Sequence, residues 1–159
     1  MRVYLGSDHA GFELKAHLLD ELRAQGHQVI DCGATTYQPD DDYPGFCIDV
    51  GTRVVADTGT LGVVIGGSGN GEAISANKVD GVRAALAWNE DTARLGREHN
   101  DANVVAIGAR MHPVDIATAL VTLFVATPFS TGDRHRRRIA QIADYERARA
   151  VPGSAGRSG

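Results

Sequence analysis

The sequence predicts a doubly wound α/β domain built on a five-stranded parallel sheet. Three observations lead there. Short β-branched runs alternate with longer segments of helical periodicity, the pattern of strand–helix crossovers. The strand candidates are continuously apolar, as in Leu61–Ile65, which suits strands covered on both faces. The 159 residues suffice for one domain with a real core, at roughly 150 residues per domain.

The elements follow in order. Val3–Gly6 reads as a buried first strand. His9–Ala24 places Phe12, Ala16, Leu19 and Leu22 at helical spacing, and Gly26 stops it. Gln28–Cys32 is a second strand, followed by a turn-rich acidic loop, Gly33–Asp42. Pro44 opens a helix at a first-turn position, where its missing N–H is no loss. Phe46, Val50, Val54 and Val55 supply an apolar face to that helix. Leu61–Ile65 is the third strand, and a helix over Glu72–Lys78 comes after a glycine-rich loop. Arg83–Ala87 is a fourth strand, Asn89–Glu98 a helix, Ala102–Gly108 a fifth strand and Pro113–Ala126 a helix.

The expected strand order is 2-1-3-4-5. It sets the unusual loops after strands one and three on either side of the switch point, where ligands bind beyond the strand C-termini. Asp133–Arg149 is a last helix with no strand after it, so it is expected to pack on a partner subunit. A single domain over 1–150 is expected, with 133–150 as its dimer arm and a Gly/Ser-rich disordered tail at 151–159.

Composition excludes several classes. The net charge of −4 argues against a dedicated nucleic-acid binder. Two cysteines make no disulfide framework, and with no CxxC pair a thiolate metal site is not expected. The longest apolar stretch, Ile116–Ala126, is well short of the roughly 20 residues that span a bilayer. Without an N-terminal apolar leader, a cytoplasmic location is expected, with no membrane partner.

The strongest chemical signal is Gly66-Gly67-Ser68-Gly69-Asn70-Gly71, between a strand and a helix. Its glycines let backbone N–H groups approach a ligand, and the helix start adds partial positive charge. Such a loop binds a phosphate, or an oxyanion formed in reaction; its plain alternative is a tight turn. It matches neither a Walker loop nor a dinucleotide fingerprint. Glu72 follows it. A carboxylate there either compensates the helix dipole or takes a proton from a carbon beside a carbonyl. Ser68 is a weaker base, since a hydroxyl needs an activating partner. Asp8 and His9 end the first strand, where Asp8 also suits a helix cap. His99 and Asn100 lie at the opposite end of the strands from this crevice, so only a second subunit brings them to it. Arg110, Arg134 and Arg138 are candidate phosphate clamps, the last two on one helix face. Asp40–Asp42 reads as a solvated loop without calcium-binding spacing.

Together these motifs resemble the ribose-5-phosphate isomerase B family, which also holds galactose-6-phosphate isomerase subunits. The resemblance rests on Gly6–Gly11, Asp40–Pro44, Gly66–Glu72 with Ala76-Asn77-Lys78, Glu98–Val104 and Gly108-Ala109-Arg110. It implies a Rossmann-like fold, a homodimer with active sites at the subunit interface, and no metal or organic cofactor. It implies interconversion of ribose 5-phosphate and ribulose 5-phosphate through an enediolate. Asp8 and His9 would bind sugar and phosphate, Gly67, Ser68, Gly69, Asn70 and Gly71 would form the anion hole, and His99 would assist ring opening. Asn100, Arg110, Arg134 and Arg138 would complete the site, largely from the partner. Many members carry Cys where this chain has Gly66, and an apolar residue at position 72. The chain looks like a subtype in which Glu72 replaces that thiol as base. A six-carbon aldose phosphate as substrate, or a non-catalytic sugar-phosphate or nucleotide-binding module, are the alternatives the residues leave open.

Overall fold

The computed structural model describes residues 1–149; the segment expected to be a disordered tail, 151–159, lies outside them. The elements are β1 (Arg2–Ser7), α1 (Phe12–Ala24), β2 (Gln28–Asp31), α2 (Tyr43–Ala56), β3 (Leu61–Gly66), α3 (Asn70–Ala76), β4 (Ala84–Leu86), α4 (Glu90–Asn100), β5 (Val104–Gly108), α5 (Val114–Ala126) and α6 (Asp133–Ala148). A 3-10 turn over His9–Gly11 leads into α1. The third helix therefore starts earlier than expected, and Asn70 belongs to its first turn rather than to the loop.

All strand pairs are parallel. The sheet order is β2-β1-β3-β5-β4, which corrects the expected 2-1-3-4-5. Composition supplies the reason. Val104–Gly108 is buried throughout, whereas Ala84–Leu86 is only half-buried. The more apolar strand takes the position covered on both sides, and the short one becomes the edge. That edge is partly closed by Asn77, whose side-chain amide bonds both backbone groups of Ala84.

At the switch point the expected pairing of β1 with β3 holds, while β5 takes the place expected for β4. Ser7 pairs with Ile65 across β1 and β3, and Gly66 pairs with Gly108 across β3 and β5. One apolar layer joins Val3, Leu5, Val63, Ile65 and Ile107 to α1 and α5. The other joins Tyr4, Val64 and Ala106 to Cys47, Val50 and Val54 of α2.

Two expected core positions differ. Ala16 and Val55 face solvent, while Leu14, Leu18 and Cys47 fill the buried stripes. Lys15 is also buried, bonded to Asp31 and to the carbonyl of Ala34 at 2.8 Å. This ion pair ties α1 to the loop after β2, because a buried ammonium needs full pairing.

Helix α6 has one buried residue, His135, and exposes Ile142 and Tyr145. It meets its own chain at three points. His135 stacks on His99 with ring centroids 4.3 Å apart. Glu146 accepts from the N–H of Gly81 at 3.0 Å, and Arg149 pairs with Asp80 at 2.6 Å. Among the described residues, no helix is long and apolar enough to cross a membrane.

Candidate active site

The C-terminal ends of β1, β3 and β5 open into a cavity of about 620 Å³. Asp8, His9, Gly67, Ser68, Gly71, Glu72 and Arg110 all line it, so the structure brings together most of the expected set. Gly69 and Asn70 do not line it, and neither do His99, Asn100, Arg134 and Arg138. The last four lie toward the opposite ends of the strands, where His99 stacks on His135 and Asn100, Arg134 and Arg138 are exposed.

The glycine-rich loop is tightly seated. Gly69 has φ +81°, and a Cβ there would meet Leu86 Cδ1 at 2.5 Å. A Cβ on Gly71 would meet the Tyr43 ring at 2.5 Å. Glycine is needed at both positions for the loop to nest between β4 and α2. Ser68 Oγ accepts from the N–H of Asn70 at 3.3 Å, and the Arg110 guanidinium lies over Gly67.

Glu72 is 3% exposed, although it sits in the first turn of α3. Its carboxylate fills the space in which a side chain at position 66 would project. A Cβ on Gly66 would lie 1.7 Å from Glu72 Oε1 and 2.2 Å from Cδ. Oε2 is buried without a hydrogen-bond partner. Burial raises the pKa of this carboxyl group above its ordinary value; the nearby charge of Asp8 adds to the rise, and backbone N–H groups of the loop oppose it. A dipole-compensating residue at a helix start would sit in water. This one is desolvated and faces the cavity, the setting of a proton-transfer carboxylate.

Asp8 also caps the turn after β1. Its Oδ1 accepts from the N–H groups of Ala10 and Gly11 at 3.0 and 3.2 Å, which fixes the side chain on the cavity wall.

Asp41 corrects the reading of the acidic loop as solvated. Its Oδ1 accepts from the His9 N–H at 2.7 Å and lies 2.9 Å from His9 Nδ1. The hydrogen bond to Asp41 is the main cause that raises the His9 pKa. Tyr43, one turn on, supplies another wall. Both lie in the Asp40–Pro44 stretch that carries the resemblance, but the sequence assigns neither a role, because 32 positions separate Asp41 from its partner. The Asp-Tyr-Pro helix start after the loop was the available signal. Asp8, His9 and Asp41 offer ligand atoms all within 4.8 Å of one another. Asp41 Oδ1 is bonded to His9 and Asp8 Oδ1 to the helix turn, while Asp41 Oδ2 is buried without a hydrogen-bond partner.

No thiol competes for the role of base. Burial pushes Cys47 up to about 12 and Cys32 up to about 11. A second cavity, of about 560 Å³, opens at the opposite ends of the strands beside Arg83, Arg97 and Asp101. Its polar groups satisfy one another: Arg97 binds Asp101 at 2.8 Å, and Arg83 binds the Asp101 carbonyl at 2.7 Å. It presents no free acid or base.

Comparison with known proteins agrees with the geometry. The family model described as Ribose/Galactose Isomerase matches residues 3–142. A ribose-5-phosphate isomerase B of Mycolicibacterium paratuberculosis is 60% identical over 159 residues, 98% of this chain and 100% of that one. One from Mycobacterium tuberculosis is 59% identical over 152 residues, covering 96% of this chain and 94% of the relative. The structure of ribose-5-phosphate isomerase B from Mycoplasma genitalium with bound ribulose-5-phosphate superposes with a TM-score of 0.88. It is 37% identical and covers 92% of this chain and 97% of that one. The Clostridium thermocellum enzyme also gives 0.88, at 40% identity and 94% and 100% coverage. With a family model over residues 3–142 and relatives about 60% identical across nearly its whole length, the chain belongs to the ribose/galactose isomerase family.

Proposed function

We propose that this protein interconverts ribose 5-phosphate and ribulose 5-phosphate, with Glu72 as the base. The observation that carries the assignment is the Glu72 carboxylate lodged in the space left by Gly66, desolvated and unpartnered at Oε2. The relatives named ribose-5-phosphate isomerase B supply the substrate class.

The open-chain aldose binds with its carbonyl oxygen toward the amides of Gly67–Gly71. Glu72 takes the proton from carbon 2. The electron pair forms the carbon 1–carbon 2 double bond of an enediolate, and the negative charge on oxygen 1 meets the loop amides. The oxygen 2 proton passes to oxygen 1, and Glu72 returns its own proton to carbon 1. Ser68 orients an oxygen. A carboxyl group with a raised pKa is the stronger base for this step. His9 and Arg110 hold the phosphate, which positions the reacting carbon.

The remaining residues imply a homodimer. His99 and Asn100 sit toward the opposite ends of the strands from the cavity of their own chain, together with Arg134 and Arg138. A second copy brings them over the opening, where His99 with Asp8 opens the sugar ring and the two arginines close on the phosphate. The exposed Ile142 and Tyr145 of α6 fit this subunit contact. Residues 1–150 are read as one domain, with 133–150 as the dimer arm, working in the cytoplasm without a cofactor. The family description includes galactose, which favours a six-carbon aldose phosphate as the second reading; comparing kcat/KM for five- and six-carbon substrates decides it.

The test is turnover of ribose 5-phosphate, followed as ketose formation, in the native chain and in Glu72→Gln. Loss of an acid–base group costs ~10²–10⁴-fold, and that loss is expected in kcat. Near-normal turnover in the variant removes Glu72 from the role. No product from the native chain, with tight nucleotide binding, replaces the enzyme with a binding module.

A further inference from the structure

Helix α3 carries Glu72 but has little of its own to hold it in place. It is seven residues long, under the ~12–15 that an isolated helix needs. Its N-cap, Gly69, makes no side-chain cap bond. Its buried residues are Glu72, Ser75 and Ala76, of which Ala76 alone is apolar.

We infer that Asn77 is a positioning residue for the Glu72 carboxylate, because its side-chain amide bolts the C-terminal end of α3 to the outer edge of β4. The inference rests on the reading of Glu72 as base.

The amide behaves as a neighbouring strand would. Nδ2 donates to the carbonyl of Ala84 at 2.9 Å, and Oδ1 accepts from its N–H at 2.8 Å. On the inner side, β4 is paired to β5, with Ala84 opposite Val104. The backbone N–H of Asn77 meanwhile donates to the carbonyl of Ala73, so one residue both ends the helix and anchors it. The other end of the unit also rests on β4, where Gly69 lies against Leu86. Glu72 lies between these two holds, about 7.5 Å up the helix axis from Asn77 at 1.5 Å per residue. Its carboxylate has almost no room to err, since it already occupies a Cβ-sized space at Gly66.

The test measures kcat, KM and the pH profile for ribose 5-phosphate in Asn77→Ala, Asn77→Asp and Glu72→Gln, with Asn103→Ala as comparison. Asn103 makes a similar two-bond clamp, to the N–H of Arg83 at 2.8 Å and the carbonyl of Gly81 at 2.9 Å, but holds no part of α3. A misplacement of about 1 Å costs on the order of 10²-fold, so Asn77→Ala is expected to lower kcat roughly 10- to 100-fold. KM stays within about twofold, because His9 and Arg110 are on other elements. The acidic limb of kcat moves to lower pH as the carboxylate gains water. Asn77→Asp, which keeps only the acceptor, behaves like Asn77→Ala. Asn103→Ala lowers Tm and leaves both kcat and the limb in place. Native kcat and an unmoved limb in Asn77→Ala, beside an inactive Glu72→Gln, overturn the positioning role and leave Glu72 as base. An equal kcat loss in Asn103→Ala also overturns it. Full turnover in Glu72→Gln overturns both readings. If Asn77→Ala does not fold, Asn77→Gln, with its amide one methylene further out, is read by the same kcat and pH criteria.

Discussion

Replacing Gly66 by Ala adds one methyl group at a point that is already occupied. The new carbon would lie 1.7 Å from Glu72 Oε1, 2.2 Å from Cδ and 3.0 Å from Cγ. Non-bonded heavy atoms settle near ~3.5 Å, so the carboxylate must retreat by more than ~1 Å. A shift of that size costs on the order of 10²-fold, and complete loss of the base ~10²–10⁴-fold. The expected fall in kcat therefore corresponds to about 2.7–5.4 kcal/mol at 1.36 kcal/mol per decade. The fold should tolerate the change, since the displaced carboxylate regains water. The assay is ketose formation from ribose 5-phosphate at saturation, in Gly66→Ala, Glu72→Gln and the double variant. If Gly66 acts through Glu72 alone, adding Gly66→Ala to Glu72→Gln leaves kcat unchanged within about twofold, a coupling energy as large as the single effect. Native kcat in Gly66→Ala refutes the reasoning. So does a loss of the same factor in both backgrounds.

Two further outcomes are expected. Asn at position 41 removes the carboxylate that chiefly raises the His9 pKa. A raised imidazole pKa gives stability that is fully present below the ordinary value near 6.5 and is lost as pH rises through the higher folded value. Asp41→Asn should therefore shrink the Tm advantage of mildly acidic over alkaline pH and bring the alkaline rise in KM to lower pH. Profiles of Tm and KM that match the native chain refute the pairing. If α6 is the dimer arm proposed above, Ile142→Glu, which places a charge on its exposed stripe, should shift sedimentation from dimer to monomer with a higher KM, because Arg134 and Arg138 travel on the same helix. Unchanged sedimentation and KM refute the arm.

What the sequence made legible was local. The alternation of runs located all five strands and six helices. The glycine cluster marked the loop, and the position of Asp8 marked a cap that its bonds to Ala10 and Gly11 bear out. What it concealed was pairing at a distance. Strand order depends on whether Val104–Gly108 or Ala84–Leu86 takes the covered position, and chain order cannot report that choice. Asp41 looked solvated within a run of three acids, because its partner His9 lies on another element. Nothing in the local spacing marks Lys15 as buried, because one bond that holds it crosses to the loop after β2. The burial of Glu72 was equally hidden: the vacancy that admits it belongs to a glycine on the preceding strand.

The shared space of residues 66 and 72 also constrains history. A lineage that gains a side chain at 66 while keeping the acid at 72 passes through a collision. One that gives up the acid first passes through an empty niche with no base. With Glu72 as the base proposed above, neither intermediate turns over substrate unless another group stands in, so the two positions are expected to change together.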